Sequence, residues 1–377
     1  MDRRIGIILN GATSRIAQLQ HLGHVLAPIR NEGGLILVNG DRAFPDILMV
    51  GRNEEKLKQV AQKFGLEKWT TDLDAALSGS NYSIFFDASV TVGREDRLKK
   101  AILAGKNIYT ETPIANSLVE AEAVLEMAKD AGICHGVMSD KIFLPGFRKL
   151  KKLLDDNFFG RIVSVKMEFG WWIFDGHGET GQRPSWNYRK KGGGGLVLDM
   201  FPHWSYILDH LFGGVESIYC HTATHIPERI DEEGRPYSVD VEDAAYALLT
   251  LSGGIPGQLL TSWATRVRRD DLVTIQVDGT AGSAVSTLHG CWSQSLQNTP
   301  LPKFDTVNGQ TMDMFKTWEE DTNTEPFKHS FRYGWELYLN HVMNGEPFPF
   351  TLDQGVKAIK LIDAAYRSSR ERRVIDL

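Results

Sequence analysis

A chain of 377 residues, 42% apolar and 24% charged, is long enough for two ordinary globular domains and is neither disordered nor fibrous in composition. Its 42 basic and 48 acidic residues leave a net charge of −6, which argues against nucleic acid as the main partner, since phosphate binding needs a basic face. Cys134, Cys220 and Cys291 are odd in number and far apart, so they form neither a disulfide framework nor a CxxC metal site, and a reducing cytoplasm is expected.

Arg3 and Arg4 precede an apolar run at 5–9. That run is shorter than a signal-peptide core of about 7–15 residues. No window approaches the roughly 20 apolar residues of a spanning helix, so no membrane partner is expected.

The first 140 residues alternate β-rich runs with amphipathic helices, the pattern of a parallel sheet covered on both faces. Residues 5–9 read as a buried strand. Residues 14–29 read as a helix with Ile16, Leu19, Leu22, Val25, Leu26 and Ile29 on its apolar face. Asn39-Gly40, flanked by apolar runs, marks a hairpin inserted between 31 and 46. Strands at 47–50, 83–86, 107–109 and 133–138 alternate with helices at 54–64, 96–104 and 118–131, the last closed by Gly132.

Beyond about residue 150 the texture changes. Long strands at 161–172, 215–225, 244–251, 258–265 and 272–278 follow one another with few helices between them. They predict a large antiparallel sheet. Residues 290–330 lack periodicity and read as irregular surface, and helices at 335–342 and 353–369 close the chain. The expected fold class is α/β plus α+β. A doubly wound parallel Rossmann domain over 1–142 precedes a substrate-binding domain with a large open, mostly antiparallel sheet over 143–377. The final helices are placed to pack back on the first domain.

Gly11, Ser14 and Ala17 follow the first strand at three-residue steps and open the first helix. This GxxSxxA pattern stands in for the glycine fingerprint that lets backbone approach a pyrophosphate. Gly11, Thr13, Ser14, Arg15 and Ile16 are the candidate dinucleotide contacts, joined by Ala88 and Ser89 beyond a later strand. A Ser/Thr cap on an ordinary helix is the bland alternative. Arg52 ends the second strand where NAD enzymes place an acid on the ribose 2′-hydroxyl. NADP(H) is therefore expected to be favoured over NAD(H), with Lys56 in support; a solvated surface arginine is the alternative.

Asp199 and His203 stand one helical turn apart. A histidine titrates near neutrality and serves proton transfer in both directions of a hydride transfer. Asp199 would orient it or bind a substrate hydroxyl. Pro202 places the pair in a first helical turn after a strand, and the glycine run at 192–195 lets backbone approach a ligand. Trp172, Trp186, Asn187, Tyr188 and Arg189 are the candidate substrate contacts, since aromatic faces stack on sugar C–H faces while amides and guanidinium groups bind hydroxyls. His221 and His225 lack a carboxylate at metal spacing, so no metal is expected. Asp240, Glu242 and Asp243 read as a solvated acidic turn.

Residues 105–113, with Glu111-Thr112-Pro113 at their end, resemble the AGKxVxxEKP segment of the Gfo/Idh/MocA oxidoreductases. Residues 192–199 followed by His203 are similar to that family's GGGxLxDxGxH signature, and 335–376 to its closing helices and strand. The resemblance implies reversible hydride transfer between a nicotinamide and a sugar, cyclitol or related polyol. It also implies a homodimer or homotetramer packed through the C-terminal sheet, with Glu111 and Thr112 beside the nicotinamide. Two positions depart from the pattern. Phe201 replaces the glycine between Asp199 and His203, and Thr112 replaces a lysine that serves the reacting oxygen. Threonine supplies no cation. Either another acid serves, with Lys141 the candidate stand-in, or activity is altered, or the threonine is an introduced substitution. A nicotinamide-binding sensor without turnover, and a lyase or glycoside-cleaving enzyme using transient oxidation, are the competing functions.

Overall fold

Runs of β-branched and aromatic residues that are buried on both faces, such as Ile7, Ile8, Phe85, Phe86 and Ile108, can only be central strands of a covered sheet. They are so in the computed structural model, which describes residues 1–171, 185–269, 271–301, 305–309, 312–322 and 326–377. The chain divides into two units, Met1–Asp140 with Lys328–Asp363, and Lys141–Phe327 with Ala364–Leu377.

The first unit holds strands β1 (Asp2–Asn10), β2 (Leu35–Ile36), β3 (Arg42–Val50), β4 (Trp69–Thr70), β5 (Ile84–Asp87), β6 (Asn107–Thr110) and β7 (His135–Val137) in one sheet. Its order is β2-β3-β1-β5-β6-β7, with β4 also on β3, and all pairs but β2–β3 are parallel. The antiparallel β2–β3 pair is the hairpin signalled by Asn39-Gly40. Helices α1 (Ala27–Asn31), α2 (Glu54–Phe64), α3 (Leu73–Ser78), α4 (Arg94–Leu103) and α5 (Leu118–Asp130) connect the strands. A capping box of Ser117 and Glu120 starts α5. The chain runs from β1 to β3 on one side and returns to β5 on the other. The carboxyl ends of β1 and β5 therefore flank the point where strand order reverses, where α/β sheets bind ligands.

The first helix departs from the expected winding. Residues Ala17–Leu26 form a π-helix, whose wider turn buries Ala17, His21, Leu22, Val25 and Leu26. Ile16 and Leu19, expected on the apolar face, are turned outward and exposed. Residues 328–363 group with this unit, so 143–377 is not one continuous body. The reason is aromatic. Trp335 and Tyr338, fully buried on the helix over Ser330–Asn344, pack on Phe86 and on Tyr109.

The second unit begins with α6 (Pro145–Asp155) and carries strands β8 (Ile162–Gly170), β9 (Val215–Ala223), β10 (Glu228–Ile230), β11 (Pro236–Ser238), β12 (Ala244–Leu251), β13 (Ile255–Ser262), β14 (Val273–Gly279), β15 (Gly282–Ser286), β16 (Cys291–Ser295), β17 (Glu319–Glu320) and β18 (Ile375–Asp376). Nine of them form a sheet of order β17-β16-β15-β14-β8-β13-β12-β9-β18, in which only β8–β13 is parallel. Residues 290–330, expected as irregular surface, thus contribute β16 and β17 to its edge. Side chains alternate along these strands. Cys220, Leu249, Leu259, Met167 and Ile275 are buried, whereas Tyr219, Tyr246 and Leu248 are exposed.

The helix α7 (Leu196–Phe212) lies against β9 and β12. It begins at Gly195 and follows a 3₁₀ turn, not a strand, so Pro202 sits inside it and not in its first turn. Gly195 has no side chain to cap the helix, and the cap comes from across the unit. Glu242 Oε1 accepts the Val197 N–H at 2.8 Å and the Tyr366 hydroxyl at 2.9 Å. Gly195 has φ +121°, and a Cβ there would lie 2.8 Å from that oxygen. The close approach predicted from the glycine run is here to the protein's own carboxylate. Nor are Glu242 and Asp243 a solvated turn. Burial pushes the Glu242 carboxyl up, and Asp243, fully buried, accepts the amides of His225 and Ile226 at 2.7 and 2.9 Å and faces Arg229 at 3.6 Å. Asp240 alone of the three is exposed. The final helix α9 spans Leu352–Glu371, and with α8 (Ser330–Asn344) it completes the helices. No helix among the described residues is long and apolar enough to cross a membrane.

Candidate active site

At the carboxyl edge of the first unit's sheet, the loops after β1, β5 and β6 are tied together. Gly11 turns the chain out of β1 with φ +75°, and a Cβ on it would meet Ser89 N at 2.6 Å. Only glycine fits. Ser14 Oγ donates to the Ala88 carbonyl at 3.0 Å and accepts the Ala17 N–H at 3.2 Å, so it caps the helix and joins the two loops at once. Thr13 is half-buried, and Arg15 and Ile16 open the helix with exposed side chains. This helix N-terminus is a fitting cradle for a pyrophosphate. Arg52 is exposed at the end of β3. Asn53 beside it is spent on capping α2, accepting the Lys56 N–H at 2.9 Å.

Arg94 binds the loops from beneath. It is 2% exposed and sits against Asp87, which is fully buried, at 3.4 Å. Its guanidinium donates to the carbonyls of Glu111 at 3.1 Å, Pro113 at 2.5 Å and Ser89. Asp87 also accepts from Asn10 at 2.9 Å, the Ser89 hydroxyl at 2.6 Å and Arg97 at 3.1 Å. Burial alone would push the Asp87 carboxyl up, but Arg94, Arg97 and the Ser89 bonds outweigh it and hold the carboxyl below the usual carboxylate range. Glu111, nearly buried, has its Oε1 2.6 Å from Nε2 of His21. Thr112 is half-buried beside it. Sequence reasoning missed Arg94 and His21. The signal for His21 was a lone polar side chain on the buried stripe of the first helix.

In the second unit Lys141 and His203 come together. Lys141 Nζ lies 3.3 Å from His203 Nδ1, and the Tyr206 hydroxyl lies 3.0 Å from the same nitrogen. The Lys141 amide also donates to the Tyr206 hydroxyl at 3.3 Å. Asp199 and His203 are half-buried on α7, one turn apart. The predicted substrate segment splits. Trp186 is 40% exposed, and Arg189, also exposed, stacks over Tyr237 at 4.3 Å. Asn187 and Tyr188 are buried, with Arg229 over the Tyr188 ring at 3.9 Å and Trp263 at its edge. Trp172 lies outside the described residues. Among the described residues no cluster of three or more His, Cys, Asp or Glu could hold a metal.

Residues 39–139 match the oxidoreductase family described as having an NAD-binding Rossmann fold, and residues 147–285 match the GFO/IDH/MocA C-terminal domain. The chain is 42% identical over 377 residues to a D-xylose dehydrogenase of Paenarthrobacter nicotinovorans, covering 99% of this chain and 97% of that protein. It is 26% identical over 249 residues to a levoglucosan dehydrogenase of Pseudarthrobacter phenanthrenivorans, covering 62% of each. A solved levoglucosan dehydrogenase in complex with NADH and levoglucosan superposes with a TM-score of 0.82 at 18% identity, covering 99% of both chains. This likeness shows a shared fold.

Arg94→Met leaves the Asp87 charge buried without its main partner, and urea unfolding at neutral pH is expected to show a loss of about 3–5 kcal/mol. The folded Asp87 carboxyl is held low, so its contribution is present at neutral pH and is lost as pH falls through its folded value. The gap between the two proteins should therefore narrow toward about pH 3, below the ordinary aspartate value. A gap independent of pH would mean that lost packing, not charge, carries the effect.

Proposed function

The chain belongs to the GFO/IDH/MocA oxidoreductases, and from that membership we propose that it is a sugar dehydrogenase, moving a hydride between a nicotinamide dinucleotide and a sugar, cyclitol or related polyol. The observation that carries this reading is the 42% identity, over 99% of the chain, to a D-xylose dehydrogenase. D-xylose is the first substrate to try.

The dinucleotide, when bound, accepts the hydride that leaves the carbinol carbon, or returns it to a carbonyl. The first unit would hold it with Gly11, Thr13, Ser14, Arg15 and Ile16 at the pyrophosphate, Ala88 and Ser89 along the adjoining loop, and Glu111 and Thr112 near the nicotinamide. His203 would move the proton, supported by Lys141. An ammonium only donates, so the Lys141 contact asks for a lone pair at Nδ1 and puts the ring proton on Nε2; as Nε2 gives that proton to a carbonyl oxygen, Nδ1 takes one from the Lys141 ammonium, and the ring stays neutral. The Tyr206 hydroxyl accepts as well as donates. It can take an Nδ1–H, which leaves Nε2 as the base for an alcohol. Lys141 would thus supply the cation that Thr112 lacks. Asp199, Trp186 and Arg189 would bind the sugar.

His203→Ala is expected to lower kcat by about 10²–10⁴-fold on a true substrate, the worth of a positioned acid–base group. Lys141→Met should lower it less and shift the pH profile. Full turnover by His203→Ala sinks the assignment.

The same reading has NADP(H) bound more tightly than NAD(H). Arg52 is exposed at the end of β3, and no acid stands at 51–53. Fluorescence titration should show Arg52→Asp losing roughly ten-fold or more in NADPH affinity, the worth of a charge-assisted bond to phosphate. Equal affinity of the wild type for NADPH and NADH counts against it.

We further read the exposed sheet face at Tyr219, Tyr246 and Leu248 as the contact of a homodimer or homotetramer. Cytoplasmic residence fits the three free thiols, of which Cys220 and Cys291 are pushed up to about 12 by burial. Sedimentation and cell fractionation test both. Leu248→Glu should sediment as a smaller species, and a monomeric wild type or one recovered outside the cytosol overturns the corresponding reading.

A further inference from the structure

Three residues far apart in sequence meet inside the first unit. The His21 ring is fully buried. Its centroid lies 4.3 Å from that of Phe86 and 5.1 Å from that of Phe331. One ring nitrogen, Nε2, lies 2.6 Å from Glu111 Oε1, and the other, Nδ1, lies 3.0 Å from the indole Nε1 of Trp335. An indole N–H donates and cannot accept. Nδ1 must therefore present its lone pair, and the ring proton is confined to Nε2, which donates a hydrogen bond to the Glu111 carboxylate. A second proton at Nδ1 would face the indole hydrogen in a site closed to water.

The main chain of Glu111 is fixed without His21. Its amide donates to the Asp87 carbonyl at 3.1 Å, and its own carbonyl accepts from Arg94 at 3.1 Å. What His21 adds is control of the side chain. Among the described residues no donor reaches Glu111 Oε2, and the residue keeps 7% of its surface open.

We propose that His21, its tautomer set by Trp335, is a positioning residue that fixes the Glu111 carboxylate so that Oε2 accepts a hydrogen bond from the nicotinamide half of the dinucleotide, through a ribose hydroxyl or the carboxamide NH₂. The inference rests on the reading of this sheet edge as a dinucleotide site. Other titratable or charged groups lie around the ring. His24, on the same helix, stacks on His329 at 4.2 Å, Tyr109 comes from β6, Arg94 from α4, and Asp140 follows β7. Among the described residues none of these bonds to either nitrogen of His21.

Titration of the full-length protein with NADPH and NADH, read by fluorescence alongside thermal melts, tests the role. His21→Phe removes the donor and should raise Kd about ten-fold, the worth of a hydrogen bond to a charged group. His21→Gln keeps an N–H for Glu111 and a carbonyl for Trp335, and should recover most of that loss. Nitrogen NMR of the wild-type ring should find the proton on Nε2. The proposal is overturned if His21→Phe and His21→Gln bind alike, or if the proton is found on Nδ1. A wild type that binds neither dinucleotide, with the tautomer as stated, brings down the dinucleotide site and this role with it. A wild type that binds, with indifferent variants, brings down the role of His21 alone.

Discussion

The Asp87–Arg94 pair is the constraint from which the carboxyl edge of the first unit's sheet is built. Removing either charge from water costs several kcal/mol, and the attraction between them repays this only when the remaining donors and acceptors are also satisfied. Here they are. Asp87 collects bonds from Asn10, Ser89 and Arg97, and Arg94 spends its remaining N–H groups on the carbonyls of Ser89, Glu111 and Pro113. A guanidinium has five donors in a rigid fork, so it can face a carboxylate and several carbonyls at once; a lysine could not. The loops after β5 and β6 are thereby locked to a common point. The loop after β1 joins them through Gly11 and Ser14, which touch the backbone of 88–89.

The second unit solves a similar problem at the start of α7. A helix that begins on glycine has no side chain of its own to cap it, and its first amides need an acceptor. Glu242 supplies one from just before β12 and is itself held by Tyr366 from α9. The cost is a carboxyl pushed up by burial. The return is a fixed helix origin, which sets where Asp199, His203 and Tyr206 project along α7. His203 then meets Lys141, the first residue of the unit. Lys141 and the Tyr206 hydroxyl both approach one ring nitrogen of His203, Nδ1.

Much of the fold was legible because it is local. Glu54–Phe64 and Ala244–Leu251 occupy the spans their periodicity predicts, since amphipathic spacing and capping residues act within one element. The first helix was misread in its facing: Ile16 and Leu19 are exposed, and over the π-helical stretch Ala17–Leu26 the 3.6-residue period does not hold. Pro202 misled for a related reason. Its preference for a first turn is a tendency, and tertiary capping moved the helix start upstream. The acidic residues at 240–243 read as solvated because nothing in their neighbourhood announces Tyr366, Arg229 or the amides of His225 and Ile226 as partners.

Sequence alone reveals the alternation of strands and helices, the glycine turn at Gly11, the placing of Asp199 and His203 one turn apart, and the family to which these motifs belong. Only the tertiary structure decided which buried charges are paired, which histidine nitrogen carries its proton, and that Lys141 stands beside His203. The physical reason is range. Periodicity and caps act over a few residues of chain, whereas a buried ion pair or a tautomer is fixed by groups brought together from distant elements, as Trp335 is to His21.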